Sequence, residues 1–332
     1  MKFVKFSSTG LSVSRLCLGT GTFGNQADEA MSFEIFDRAA DAGVNFIDTA
    51  DCYPMSGANY SLVGRSEEIT GRWLKGKRNR FIVGTKGGVP IGPASWDQGS
   101  SKKHLLEAID ASLRRLGTDY VDLYQIHQDD PETPLDESLA ALDQIVRSGK
   151  ARYVGVSNFL AYRLARATGR ADALKLTRPV SIQPRYNLLF REIEHELLPL
   201  AQEERLAVIP FNPLAGGLLS GRYRDRSSPD KGRFSAELGQ FGAMYQVRYW
   251  HDREFETIGR LQGVAAEHGL PLPTMSVAWM LANPSITSVI LGASQSEQLV
   301  DTLAAADLTL DPALKGQLDD LTVEYRRGDS VR

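Results

Sequence analysis

Cysteine is scarce: Cys17 and Cys52 are the only two in 332 residues. Two thiols cannot form the disulfide framework of a secreted scaffold. Each sits where an apolar, strand-like run passes into a loop, so both are expected to be buried and reduced. Cys52, beside Tyr53, is the candidate for an oxidisable thiol. Long apolar runs are missing as well. None approaches a membrane span, and the opening Met1-Lys2-Phe3-Val4-Lys5-Phe6 lacks the apolar core of a signal peptide. The expectation is a soluble, cytoplasmic protein with no membrane partner. Nor is either sign of charge in excess: 38 Lys and Arg against 41 Asp and Glu leave a net −3. That gives no case for nucleic acid as a partner, although local basic residues can still hold a phosphate.

No stretch rich in Pro, Gly and Ser divides the chain, which points to one domain over residues 1–332. What is present is a regular alternation of short apolar runs with amphipathic ones. The strand-like runs are Arg15–Gly19, Asn45–Asp48, Phe81–Thr85, Val121–His127, Tyr153–Val156, Val180–Gln183, Leu206–Phe211 and Ser288–Leu291. Helical patterns lie between or after them, over Asp28–Ala42, Ser66–Leu74, Lys102–Leu116, Leu135–Ser148, Ala161–Thr168, Ile193–Glu204, Glu254–His268 and Ser296–Ala305. In one of them Leu105, Ile109, Leu113 and Leu116 keep a single face, and Gly117 ends the run. Eight strand–helix units joined by short turns predict an α/β fold, a closed parallel (β/α)8 TIM barrel. The segment Lys2–Val13, turning at Ser7-Ser8-Thr9-Gly10, predicts a hairpin plugging the barrel's bottom.

An open doubly wound sheet competes. It requires a glycine-rich turn after the first strand, and Gly19-Thr20-Gly21-Thr22-Phe23-Gly24 comes close. No carboxylate ends a second strand at the spacing that such a turn demands, so the barrel is preferred. Three long segments break the rhythm, at Pro54–Arg65, Gly87–Ser101 and Gly221–Asp252. All follow strand ends and are expected on the rim where loops carry specificity.

Four strand ends carry the chemistry. Asp48 closes the second run, with Tyr53 just beyond; Lys86 follows the third run; His127 closes the fourth. Reducing a carbonyl needs a proton donor near the oxygen, and a phenol can both hydrogen-bond that oxygen and deliver its proton. A free phenol titrates near ~10, so Tyr53 needs a neighbour that eases proton loss. The Lys86 ammonium is expected to do this, with Asp48 holding it charged and aimed. His127 is expected to orient the carbonyl by a hydrogen bond. Singly these residues are ordinary caps, ion-pair partners or core groups; the order and the strand-end placement make them specific.

With these residues in place the sequence resembles the aldo-keto reductases. The likeness runs from Gly10-Leu11 and Leu18-Gly19-Thr20 through Asp48-Thr49-Ala50, Tyr53, Lys86, His127, Gly155-Val156-Ser157-Asn158-Phe159 and Gln183 to Gly292-Ala293-Ser294. Within the family it is most similar to the branch of potassium-channel β-subunits and bacterial sugar or general aldehyde reductases, on Phe211–Tyr223 and Ile290–Leu299. The resemblance implies a (β/α)8 barrel binding NADPH/NADP+ without a doubly wound domain, a catalytic tetrad on Asp48, Tyr53, Lys86 and His127, and no metal. It implies nicotinamide contacts from Ser157, Asn158 and Gln183, with Thr20 and Gly21 nearby and Phe211 stacked on the ring. Asn212, Pro213, Leu214, Gly216 and Ser220 belong to a stretch whose small residues let backbone amides approach a pyrophosphate. Arg222 and Arg233 are candidates to clamp phosphate oxygens. Leu291, Gly292, Ser294 and Gln298 open the last loop, where a helix N-terminus is expected to receive a ribose phosphate. The chain has Asp301-Thr302 where the family usually has a Glu-Asn pair, which bears on the adenine contacts.

The leading reading is an NADPH-dependent reductase of aldehyde or ketone carbonyls, acting on a small molecule. Two alternatives are a reductase of a nucleotide-linked keto- or enoyl-sugar and an NADPH-binding regulatory subunit of poor turnover. In the family's steroid double-bond reductases a Glu replaces the His; His127 therefore implies carbonyl rather than carbon–carbon reduction. Substrate selectors are expected among Phe23, Trp96, Phe159, Tyr186, Tyr245, Tyr249 and Trp250.

Overall fold

A computed structural model describes residues 1–54, 60–223, 227, 229 and 232–327. The middle of the Pro54–Arg65 segment, and Lys231 with some neighbours in the Gly221–Asp252 segment, lie outside the described residues.

Eight parallel strands follow one another around a barrel: β1 (Leu16–Gly19), β2 (Phe46–Asp48), β3 (Ile82–Gly87), β4 (Val121–Ile126), β5 (Ala151–Ser157), β6 (Ser181–Gln183), β7 (Ala207–Val208) and β8 (Val289–Gly292). Each pairs with the next in sequence, and β8 returns to pair with β1. Backbone bonds from Thr287 N–H to the Val208 carbonyl (2.8 Å) and from Ile290 N–H to the Pro210 carbonyl (2.9 Å) join β8 to the β7 side. The sheet therefore closes. The strands fall on the eight runs read from the sequence. β7 is shorter than its apolar run because Pro210 has no N–H to offer the ladder. The pairing nevertheless resumes, with Ile209 and Phe211 donating to the carbonyls of Ile182 (3.1 Å) and Pro184 (3.0 Å).

Period-two alternation sorts each strand into two faces. Cys17, Phe46, Ile82, Leu123, Ala207, Ile209 and Ile290 turn inward and form one cluster with Phe6 and Val13. Their neighbours Leu16, Leu18, Ile47, Val83, Tyr124 and Val154 turn outward under the helices. The inward cluster contains the hairpin: Phe3–Lys5 pairs antiparallel with Ser12–Ser14, and Phe6 meets Phe46 edge-on at 5.8 Å. The hairpin plugs the barrel's floor as its sequence predicted. The upper half of the barrel is left to polar residues.

The outer helices mostly match their sequence patterns. Lys102–Leu116 starts on Ser101, whose side chain accepts from His104 N–H, and stops at Gly117 in the left-handed region (φ 63°). The helix Ala161–Leu174 continues through Gly169, beyond the predicted end at Thr168. Leu272–Leu281 has no amphipathic pattern because almost every residue in it is buried, so the sequence reading passed over it. Gln240–Tyr249 lies inside the segment read as a loop. The helix predicted over Ser296–Ala305 is split into a short turn, Ser296–Gln298, and a helix, Leu299–Ala304.

Candidate active site

The inward alternation that fills the barrel's floor continues upward as Asp48, Lys86, Gln125, Ser157 and Gln183. Lys86 Nζ donates to Asp48 Oδ2 at 2.5 Å and to the Thr49 carbonyl at 2.7 Å. The other Asp48 oxygen accepts from the amides of Gln183 (2.9 Å) and Gln125 (3.3 Å). Both Asp48 oxygens are therefore engaged, and the side chain is buried. The sequence reading missed Gln125. Its signal was the spacing Leu123-x-Gln125-x-His127, which puts it on the inward face two residues before the histidine.

Tyr53 leans over this pair, with Lys86 Nζ 5.0 Å from its ring centroid and the His127 ring edge-on at 5.6 Å. Loss of water raises the phenol's pKa, and the Lys86 charge pulls it back only in part. Lys86 acts on the phenol in the expected direction, easing proton loss, while desolvation and the Asp48 charge oppose it and leave the net pKa raised. Burial alone would lower the Lys86 pKa, yet the Asp48 carboxylate more than reverses this, so the ammonium stays charged. Burial, then the Lys86 charge, push the His127 imidazole well below its usual range, so it is neutral. Its Nδ1 lies 3.6 Å from Cys52 Sγ, leaving Nε2 as the nitrogen available to a substrate oxygen.

Cys52 is not an activated thiol. Burial, then the Asp51 carboxyl, raise its pKa well above the ordinary thiol value. Asp51 itself is fully buried, and among the described residues neither of its carboxylate oxygens has a hydrogen-bond partner. Burial, then the neighbouring Glu67, hold its pKa well above the usual carboxylate range.

A groove of about 470 Å³ opens from this corner across the top of the barrel. Gly21, Asp48, Tyr53, Gln183 and Phe211 line one end, Asn212, Pro213, Leu214, Gly216, Ser220, Arg222 and Arg233 its middle, and Leu291, Gly292, Ser294 and Gln298 the far end. Three expected cofactor residues lie outside its lining. The Thr20 hydroxyl is buried and accepts from Ser66 Oγ at 2.7 Å. Ser157 Oγ donates to the Gln183 carbonyl at 2.9 Å, and the Asn158 amide donates to the His127 carbonyl at 2.9 Å.

The middle of the groove is shaped by left-handed backbone at Asn212 (φ 64°), Ala215 (φ 48°), Gly216 (φ 73°) and Gly217 (φ 101°). Asn212 holds this turn by accepting from Gly216 N–H at 2.6 Å and donating to the Tyr249 hydroxyl at 2.9 Å. Arg222 threads between two glycines: a Cβ at Gly232 would come within 2.5 Å of its Nη2, and one at Gly217 within 3.6 Å. Arg233 lies 5.5 Å from the Tyr245 ring, and its charge acts on Tyr53. Two guanidiniums over a glycine-lined groove, with the Phe211 ring near the tetrad, suit a dinucleotide.

The far end differs from expectation. Leu299–Ala304 is short and begins beyond Ser294, whose N–H instead donates to Gln298 Oε1 at 2.9 Å. Glu297 and Asp301 line the groove beside it. The helical turn Ser296–Gln298 runs directly into that helix, so its N-terminus lies just beyond Ser294.

The aromatic selectors divide. Tyr245 lines the groove and Trp96 is exposed on the rim. Tyr186 is turned away, its hydroxyl donating to Glu194 at 2.7 Å and its ring against Trp279. Phe23 and Trp250 are packed in the core.

A barrel whose inward residues end in a buried Asp–Lys pair beneath a Tyr and a His defines a class of oxidoreductase. Residues 15–322 match the model of the aldo/keto reductase family, and the chain belongs to that family. It is 36% identical over 329 residues, 97% of its own length and 96% of the relative's, to an uncharacterized oxidoreductase of Bacillus subtilis, YrpG. It is 36% identical over 316 residues, 93% and 92% of the two chains, to a probable voltage-gated potassium channel subunit beta of Arabidopsis thaliana. Protein tas of Escherichia coli is 31% identical over 345 residues, covering 96% of this chain and 97% of that one. No helix among the described residues is long and apolar enough to cross a membrane.

Proposed function

We propose that this protein reduces aldehyde and ketone carbonyls of small molecules to alcohols with NADPH. The observation that carries the reading is the Lys86 ammonium held between the Asp48 carboxylate, at 2.5 Å, and the Tyr53 ring, at 5.0 Å, where the groove begins. NADPH, when bound, supplies the hydride. Tyr53 hydrogen-bonds the carbonyl oxygen and releases its proton to it as negative charge develops there. Lys86 stabilises the phenolate left behind, and Asp48 keeps that ammonium charged and fixed. Neutral His127 donates to the same oxygen from Nε2 and sets the carbonyl's orientation. Phe211, Arg222 and Arg233 would hold the dinucleotide along the groove.

The decisive experiment is turnover of purified protein with NADPH against a panel of aldehydes, including an α,β-unsaturated one. The allylic alcohol is the expected product of the latter. A saturated aldehyde as main product would favour the enoyl-reductase reading. The relatives whose names are channel subunits keep a regulatory reading in play. Tight NADPH binding without turnover of any carbonyl would favour it.

A further inference from the structure

Beside the groove, on the same rim, two guanidiniums flank one pair of tyrosine rings. Arg185 stands two residues after Gln183, at the top of the barrel, and its backbone bridges to Phe211. Its guanidinium carbon lies 3.5 Å from the Phe190 ring centroid and 5.7 Å from that of Tyr249. Arg248 reaches the rim from Gln240–Tyr249, its guanidinium carbon 5.8 Å from the Tyr245 centroid. The Tyr245 and Tyr249 rings are 6.4 Å apart.

Both arginines are half-buried. Among the described residues neither has a hydrogen bond or an ion pair, whereas Arg78, Arg163 and Arg191 each hold a carboxylate. Burial, then the Arg185 charge, lower the Arg248 pKa. Two partly desolvated like charges without a counter-ion are unfavourable, and an oxyanion between them relieves both costs. Ring stacking occupies a guanidinium's face and leaves its N–H edge to accept an oxyanion. Tyr245, beside Arg248, and Phe211, to which Arg185 bridges, both line the groove that holds Tyr53, so the pair stands at that groove's edge.

We propose that the physiological substrate is a carbonyl compound bearing a carboxylate or phosphate, which Arg185 and Arg248 bind while its carbonyl reaches Tyr53 and His127. This rests on the carbonyl-reductase reading above. The test compares kcat/KM for succinic semialdehyde against butanal, and for glyceraldehyde 3-phosphate against glyceraldehyde, at saturating NADPH. At least one charged member should exceed its neutral partner by roughly ten- to a hundred-fold, the scale of charge-assisted hydrogen bonds. The pair showing the preference identifies carboxylate or phosphate. Arg185→Ala and Arg248→Ala should each collapse that ratio through KM rather than kcat, and Arg185→Lys should restore part of it. A separate readout is titration calorimetry of succinate and inorganic phosphate into protein saturated with NADP+, with binding lost in both alanine variants. Turnover of neutral aldehydes with no charge preference would overturn the anion site alone. Anion binding that depends on both arginines, without turnover of any aldehyde, would uphold the site and overturn the reductase reading.

Discussion

Lys86 Nζ and Asp48 Oδ2 lie 2.5 Å apart, with the two side chains 0% and 3% exposed. A pair this deep is held because each member neutralises the other, and removing one strands a buried charge. Lys86→Met should therefore cost about 3–5 kcal/mol of stability in addition to its effect on turnover. Lys86→Met with Asp48→Asn should be more stable than Lys86→Met alone yet equally inactive. Urea unfolding of the three variants measures this. A Lys86→Met protein as stable as the wild type would mean that Asp48 tolerates the loss by taking up a proton.

Tyr53→Phe removes only a hydroxyl at the groove's mouth. Turnover should fall by at least ~100-fold, the scale for losing a positioned general acid, while NADPH affinity is kept. The Tyr53→Phe, Lys86→Met double variant should be little slower than either single one, because the lysine acts through the phenol. Additive losses would detach Lys86 from the proton transfer.

Much of this site was legible because strand alternation is simple. Once β2, β3 and β4 are placed, Asp48, Lys86 and His127 must share the barrel's interior, and period two extends the same reasoning to Gln125. Contacts that need distant segments to meet were not legible. Tyr186 reads as a mouth residue, but Glu194 lies within reach of its hydroxyl and turns it outward. Lys86 eases proton loss from Tyr53 as its charge dictates, but the larger opposing effect of desolvation depends on packing density and is not written in the sequence. Leu272–Leu281 carries no pattern because burial on almost every side erases one. The Arg185–Arg248 pair joins a strand end to a helix that the sequence reading took for loop.

Gly155 is fixed by sterics at the barrel's interior. A Cβ there would come within 2.1 Å of Ser181 Oγ and 3.1 Å of the Ser181 carbonyl. Gly155→Ala should destabilise by roughly 1–3 kcal/mol, the usual cost of overpacking. Ser181→Ala in that background should return part of it, since the Oγ is the nearer obstacle and has no hydrogen-bond partner among the described residues. Equal stability of the two would shift the cause to the backbone.

Asp51 sets a pH dependence. Its folded pKa is raised well above the usual value by burial, then by Glu67, so the folded chain keeps a proton that the unfolded chain releases above about pH 4. The folded state therefore binds more protons, and this group's contribution falls as pH rises from about 4 toward its folded pKa. Asp51→Asn carries no such proton. Melting temperatures at pH 5 and pH 8 should show the variant gaining on the wild type at the higher pH. A gap that stays constant with pH would mean that Asp51 titrates alike in both states.

Cofactor choice should rest on the groove's middle rather than its far end. Glu297 and Asp301 line the far end beside Ser294 and Gln298, and a carboxylate there disfavours a phosphate. The helical stretch that follows is short, a turn over Ser296–Gln298 running into Leu299–Ala304, and offers little to offset these two charges. The cationic side chains that line the groove are Arg222 and Arg233, and a phosphate is expected to draw its favourable charge from them. NADPH is expected to bind more tightly than NADH, and Arg222→Ala or Arg233→Ala should narrow the gap by roughly ten- to a hundred-fold, the scale of a lost charge-assisted contact. Ser294→Ala should change it only a few-fold. Glu297→Gln should strengthen NADPH binding and leave NADH nearly unaffected, because only the phosphorylated cofactor carries the extra charge to be repelled. Fluorescence titration of both cofactors against the four variants decides. Equal wild-type affinity for the two would remove the phosphate from this account, and a gap abolished by Ser294→Ala alone would return it to the far end of the groove.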